Sequence, residues 1–358
     1  MFWILGADGA MVSLGEMLRG DSSIFNKLAD VLQTQFSHVV WEGLTFYDFI
    51  FPLFIFVTGV AIAPSLTRIV ERDGMAKAHL RVLRRAVLLY VLGVAYYGGI
   101  SQHWGDVRWL GVLQRIAICY LFASLLFLHL GTRGLLAVTA LLLAGYGALI
   151  SLVPAPGMAE VSFAPDANLA NWIDRHYLPG RLWDETRDPE GLLSTLPAIA
   201  TCLIGVLAGD VLTQSGTGAR EKSMRLLGAG LLLLAGGYLW SLQLPLIKSI
   251  WTSSYTLVTG GYALIALGLF HLIADVWQYR RWATVFIWVG ANAITLYLLA
   301  GIANFERLAV RFVGGDVGQF LDEAVTQGTG RFVSHAIGVG FAVAVAAFLY
   351  RRRIFIRV

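Results

Sequence analysis

Apolar residues along this chain gather in runs of about twenty, separated by shorter polar stretches, and those runs set the expected elements. Nine stand clear: 46–66, 86–101, 109–130, 134–153, 192–212, 226–244, 251–274, 283–303 and 332–350. A helix needs about 20 mostly apolar residues to cross a bilayer. A tenth, weaker segment opens the chain at 1–18, MFWILGADGAMVSLGEML. Asp8 and Glu16 interrupt it and no basic stretch precedes it, so it reads as the outer part of a helix rather than a secretory signal. The pattern predicts an all-α, polytopic integral membrane helical bundle of about 10 transmembrane helices, forming a single domain over 1–358. No short-period repeat and no low-complexity segment interrupts it.

Lysine and arginine set the expected sidedness. With residue 1 inside, the cytoplasmic loops 67–85, 131–133, 213–225, 275–282 and 351–358 hold 16 basic residues in 51 positions. The outer loops 19–45, 102–108, 154–191, 245–250 and 304–331 hold 10 in 106. That asymmetry predicts a cytoplasmic N-terminus. The longest loops are all outside, where chemistry is therefore expected. Loop 154–191 carries five prolines together with Trp172, Tyr177, Leu178 and Trp183, and is expected to form a structured extracytoplasmic lid.

Composition agrees with a membrane chain. Hydrophobic residues make up 57% and charged residues 14%, too few charges to cover a soluble surface and too much apolar material for disorder. Cys119 and Cys202 are too few for a disulfide scaffold and sit in apolar runs as small buried thiols. No histidine pair has metal-ligand spacing on a span, so no metal site is expected. A net charge of +4 gives no case for nucleic acid.

Ionisable groups inside a membrane are costly and are functional candidates by default. Asp8, Asp48 and Arg115 all fall in the outer half. Arg115 could equally neutralise a carboxylate so that helices pack. His38 lies just before Asp48 in FSHVVWEGLTFYDFIFP. Imidazole titrates near neutral pH and can take a proton from a hydroxyl or amine, or carry an acyl group briefly. A carboxylate such as Asp8 or Asp48 would fix its tautomer.

At these residues the sequence resembles the heparan-α-glucosaminide N-acetyltransferase family of polytopic membrane acyltransferases, its bacterial members in particular. HVVWEGLTFYDFIFPLFIFVTGVAI at 38–62 is similar to the family's His-x-x-Trp-x-Gly-x-x-x-x-Asp-x-x-Phe-Pro segment. VRWLGVLQRIAICY at 107–120 resembles its Gly-Val-Leu-Gln-Arg helix, and DPEGLLSTLPAIATCLIGVLAG at 188–209 its Asp-Pro-Glu-Gly entry to a later span. IKSIWTSSYTL at 247–257 and WVGANAITLY at 288–297 correspond to two further segments. The five occur in the family's order.

The resemblance implies transfer of an acetyl group from cytosolic acetyl-CoA to a sugar amine or hydroxyl on the extracytoplasmic side, in a bacterial inner membrane. It implies His38 as the catalytic residue, with Asp8 where the family has an assisting asparagine, and Asp48 as a second carboxylate able to orient it. Arg115 falls on the Gln-Arg pair beside Gln114, and Asp188 and Glu190 on Asp-Pro-Glu-Gly. Arg84, Arg85 and Arg281 are candidates for the CoA phosphates, although basic residues there also serve topology. Asn292, Ser253, Ser254 and Arg115 could donate to a thioester oxyanion. Trp41 and Trp251 could stack on a sugar ring, as could Trp104, Trp109 and Trp183, although tryptophan is enriched at membrane interfaces anyway. The expected partners are the lipid bilayer, acetyl-CoA and an extracytoplasmic sugar or glycan, with a homo-oligomer left open. The competing expectation is a membrane transporter of a sugar or lipid-linked glycan.

Overall fold

A computed structural model of the chain describes residues 1–20, 22–101 and 103–355. Inside a membrane the backbone must satisfy its own hydrogen bonds, and a chain this apolar does so by coiling. Among the described residues fifteen α-helices result: α1 Asp8–Met17, α2 Ser23–Gln35, α3 Phe46–Asp73, α4 Met75–Tyr96, α5 Val112–His129, α6 Thr132–Leu152, α7 Leu169–Tyr177, α8 Thr195–Thr213, α9 Ala219–Ser241, α10 Ser253–His271, α11 Thr284–Ala291, α12 Ala293–Ala303, α13 Phe305–Val313, α14 Asp316–Ala324 and α15 Thr329–Arg351. Among the described residues, extended pairing is limited to three isolated bridges, Glu42 with Ile247, Arg108 with Gly180 and Asp184 with Arg187.

Among the described residues seven helices are long and apolar enough to cross a membrane: α3, α5, α6, α8, α9, α10 with the π turn Leu272–Val276 that continues it, and α15. Arg281–Ala291 and Ala293–Ala303 together are long enough for an eighth but bend by 66° at the break between them. The protein is thus a polytopic helical membrane protein. The expected run 86–101 is the second half of α4, whose first half carries Lys77, Arg81, Arg84 and Arg85. The opening segment is a π turn, Trp3–Ala7, followed by α1; Gly6 takes φ +110° inside it, a conformation open to glycine and strained for other residues.

The chain forms two compact units. One comprises Met1–Val39, Thr45–Ile50 and Tyr279–Arg357; the other comprises Val40–Leu44 and Phe51–Gln278. In the first, Leu5, Val289, Leu296, Phe305, Ala342 and Ala346 make the core. α15 presents Gly330, Ser334, Gly338, Ala342 and Ala346 as a buried stripe. Four-residue spacing puts these small side chains on one face, so neighbouring backbone packs closely; a Cβ added at Gly338 would meet the Glu306 backbone of α13 at 3.3 Å.

In the second unit α8 is the central helix, with 72% of its most apolar window buried. It crosses α3 through glycines. A Cβ on Gly59 would come within 2.0 Å of Cys202 O, and one on Gly205 within 2.0 Å of Phe56 O. Ile55, Ile62, Leu66, Ala198, Cys202, Leu203, Val206, Trp251 and Tyr255 pack around that crossing. The loop 154–191 carries α7, which Asn168 caps by accepting from Asn171 N.

Candidate active site

Thr45 and Asp48 start α3 with reciprocal side-chain and backbone bonds, the capping-box arrangement. Asp48 Oδ2 accepts from Thr45 N at 3.3 Å, and the Asp48 N–H points at Thr45 Oγ1 at 3.4 Å. The Thr45 hydroxyl lies 2.7 Å from Ser37 O and 2.9 Å from Asp48 Oδ2, and Val39 N donates to the same carboxylate oxygen at 3.2 Å. These bonds pin the segment before α3 so that His38 Nδ1 stands 2.6 Å from Asp48 Oδ1. Asp48 is fully buried, whereas the imidazole is 54% exposed.

A carboxylate has only acceptors, so this contact puts the proton on Nδ1 and leaves the basic lone pair on Nε2. The Tyr47 ring lies 4.5 Å from the imidazole, and the Asp8 carboxylate is near enough to the Tyr47 hydroxyl to act on it electrostatically. Of the two carboxylates expected to orient His38, Asp48 holds the ring nitrogen directly and Asp8 lies toward the tyrosine beside it. Tyr47 is a member of the site that the sequence did not single out.

In the other unit, the Asp-Pro-Glu-Gly turn is a closed ionic knot. Arg108 donates to Asp188 Oδ1 at 3.1 Å and to Glu190 Oε2 at 2.6 Å, with all three side chains buried. Its guanidinium sits 4.5 Å from the ring centres of both Tyr97 and Trp183. Asp188 also accepts from Glu190 N and Trp183 N. Arg115 donates to Pro189 O at 2.9 Å, to Gly191 O at 3.0 Å and to Ser194 Oγ. Asp174 of α7 accepts from Leu192 N at 2.7 Å.

Burial raises the Glu190 carboxyl above its ordinary range although Arg115 and Arg108 pull it down. Burial likewise pushes Asp174 up to about 7, against the Leu192 N–H and Arg115. For Arg108, burial works against the charge, but Glu190 and Asp188 hold the guanidinium above its usual value.

Several expected binding residues make internal contacts. Asp188 and Glu190 bond Arg108, and Arg115 bonds the 188–191 turn while its Nε stays buried without a partner, so together they fasten the loop 154–191 to the start of α5. Trp251 is 1% exposed, with Arg115 at 5.1 Å from its ring, Phe51 and Tyr255 against it and its N–H on Thr201 Oγ1; no face is left for stacking. Ser253 Oγ donates to Leu143 O and Ser254 Oγ to Leu244 O, so both hydroxyl protons are directed at backbone carbonyls. Arg108 and Asp174 were not singled out, because nothing in their local sequence separates them from solvated loop charges.

The remaining candidates keep accessible or unsatisfied groups. Trp41 donates to Phe163 O and lies 5.3 Å from the Arg187 guanidinium. Trp104 is exposed and Trp183 is half exposed. Trp183 lines an open groove of about 740 Å³ with Arg175, Leu178, Arg181, Leu182 and Glu185. Gln114 donates to Arg108 O while its Oε1 is buried without a partner. Arg84 and Arg281 are exposed, and Arg85 lies over Tyr120 at 4.6 Å. Both polar atoms of the Asn292 side chain are buried and unpartnered. Among the described residues no group of three or more His, Cys, Asp or Glu could hold a metal ion.

Comparison with known proteins places the geometry in context. Residues 24–237, which contain His38, Asp48, Arg108, Arg115 and the 188–191 turn, match the family described as heparan-alpha-glucosaminide N-acetyltransferase, catalytic. The chain is 26% identical to the heparan-alpha-glucosaminide N-acetyltransferase of Homo sapiens over 382 residues, covering 89% of this chain and 55% of that protein. It is 26% identical to the Mus musculus protein over 325 residues, covering 74% of this chain and 48% of that protein. The chain thus spans about half the length of the curated relatives it matches.

Proposed function

Because this chain belongs to the heparan-alpha-glucosaminide N-acetyltransferase family, we propose that it is a transmembrane acetyltransferase that moves an acetyl group from cytosolic acetyl-CoA to a sugar amine or hydroxyl on the outer side of the membrane, with His38 as its base. The observation that carries this reading is the His38–Asp48 pair, a half-exposed imidazole held at 2.6 Å by a fully buried carboxylate. His38 Nε2 takes the proton from the acceptor as its nitrogen or oxygen attacks the thioester carbon. The new bond to the acyl carbon forms, the carbon–sulfur bond breaks, and the imidazolium returns the proton to the departing CoA thiolate. Asp48 stabilises the imidazolium between those steps. A transient acetyl-imidazole on Nε2 is the two-step version of the same chemistry.

The sugar is proposed to approach the outer loop 154–191, whose groove offers Trp183 for stacking and Arg175, Arg181 and Glu185 for hydroxyls. Arg84, Arg85 and Arg281 are proposed for the nucleotide phosphates, in a bacterial inner membrane. The test is purified protein incubated with acetyl-CoA and a panel of amino sugars and oligosaccharides, with products read by mass spectrometry. Acetylated product from wild type and none from His38→Ala supports the reading; equal turnover by both overturns the role of His38, and no product with any acceptor overturns the activity.

A further inference from the structure

The bend between α11 and α12 falls on Asn292, which ends one helix and begins the next with φ −122° and ψ 27°. An asparagine at a helix start ordinarily turns its side-chain oxygen onto the first free backbone N–H groups. Asn168 and Asn304 do this for α7 and α13. Asn292 makes no such bond. Its residue is 3% exposed, and neither Nδ2 nor Oδ1 has a partner among the described residues. Thr295, three residues on and so on the same face of α12, is 8% exposed, and its Oγ1 is likewise unpartnered. Around them lie Val289, Leu296 and Trp288 of an apolar core.

Leaving a buried donor and acceptor unmade is costly, and more so at membrane depth. Broken membrane helices place polar groups of this kind where a substrate binds. The atoms exposed here specify what fits. A cation would leave Nδ2 unpaired, and a carboxylate would leave Oδ1 unpaired. A neutral chain carrying two secondary amides satisfies both, the carbonyl of one accepting from Nδ2 and the N–H of the other donating to Oδ1, with the Thr295 hydroxyl as a further donor to that carbonyl.

We propose that Asn292 and Thr295 form an amide-binding subsite for the pantetheine arm of the acyl donor, a neutral chain carrying two secondary amides. The proposal rests on the acetyl-CoA reading of the preceding subsection and adds the residues that grip the arm within the membrane.

The test uses the full chain in detergent, thermal unfolding, and equilibrium binding of acetyl-CoA, pantetheine and 3′,5′-ADP, which lacks the arm. In Asn292→Leu an unsatisfied polar group is replaced by an apolar one of similar size. The apo variant is expected to melt at or above the wild-type temperature, while its affinity for acetyl-CoA and pantetheine falls about tenfold or more. Binding of 3′,5′-ADP should be unchanged. Thr295→Val should weaken the same two ligands by a smaller factor, and it carries the test by itself if Asn292→Leu does not fold. Wild-type affinity for acetyl-CoA in these variants overturns the subsite and leaves the donor reading standing. A lower apo melting temperature for Asn292→Leu also overturns it, since the amide would then serve the fold. If wild type binds no acetyl-CoA, the donor reading fails and the subsite fails with it.

Discussion

Asp48 is fully buried and accepts at once from the His38 ring, 2.6 Å away, and from the backbone of Thr45 at the start of α3. Asp48→Asn keeps the shape but loses the charge that stabilises imidazolium and the acceptor-only edge that fixes the tautomer. Acetyl transfer is expected to fall about 10² to 10⁴-fold. Because the cap is weakened as well, the melting temperature should drop, by an amount equivalent to about 1 kcal/mol. His38→Ala should abolish transfer with little change in melting. Steady-state kinetics with thermal unfolding on both variants checks the separation.

Asp8 enters through Tyr47, whose hydroxyl feels its carboxylate and whose ring packs on the imidazole. Asp8→Asn keeps a polar group near that hydroxyl, so transfer should stay within about tenfold of wild type. Asp8→Leu and Tyr47→Phe each remove the polar contact and should lose more, by similar factors, and the double variant should lose no more than either single one. A double-mutant cycle on the transfer rate measures this coupling; additive losses would separate the two residues.

Arg108 is the counter-charge of two buried carboxylates. Arg108→Ala strands Asp188 and Glu190 and should cost about 3–5 kcal/mol. Arg108→Lys restores a charge without the planar stacking between Tyr97 and Trp183, so it should recover only part of the loss. Thermal unfolding ranks the three proteins. The rank wild type, Lys, Ala is the expected result, and an alanine variant as stable as wild type would contradict the account of the turn.

The Asp174 carboxyl, raised by burial to about 7, gives the loop 154–191 a pH dependence. Its folded value lies above the unfolded one, so the folded state holds this proton more tightly. The associated stability is complete below the ordinary carboxyl range near pH 4 and is lost as pH rises through about 7. Measured relative to the intrinsic base-catalysed rate, hydrogen exchange in 154–191 is therefore expected to quicken between pH 5 and pH 8. Asp174→Asn, which cannot ionise, should flatten that rise, and an unchanged profile in the variant would assign the effect elsewhere.

The all-helical membrane architecture was legible in the hydrophobic runs, because a span must be apolar over a fixed length. What the runs concealed follows from the same rule. α4 extends back to Met75 through Lys77, Arg81, Arg84 and Arg85, residues with good helix propensity but no hydropathy signal. The short helices α2, α13 and α14 lie in loops where no span-length run marks them. Asp8 and Asp48 were visible as costly polar residues in apolar segments, and His38 as a histidine in the connection just before Asp48. Which carboxylate touches the ring was not, since spacing along the chain carries no distance between segments. Arg115 looked like a ligand-binding cation because its real partners are backbone carbonyls of Pro189 and Gly191, and every residue type has a carbonyl. Trp251 was placed at the interface by its neighbours, but it turns inward at φ +51°.

The box that opens α3 also bears on how such a protein can decay over generations. In the proposed mechanism one carboxyl group serves both scaffold and catalyst, so drift at position 48 would be punished twice, first by misfolding and then by inactivity. Position 38 carries no comparable burden. A descendant that kept its architecture but abandoned acetyl transfer would be expected to have changed its histidine and retained its aspartate.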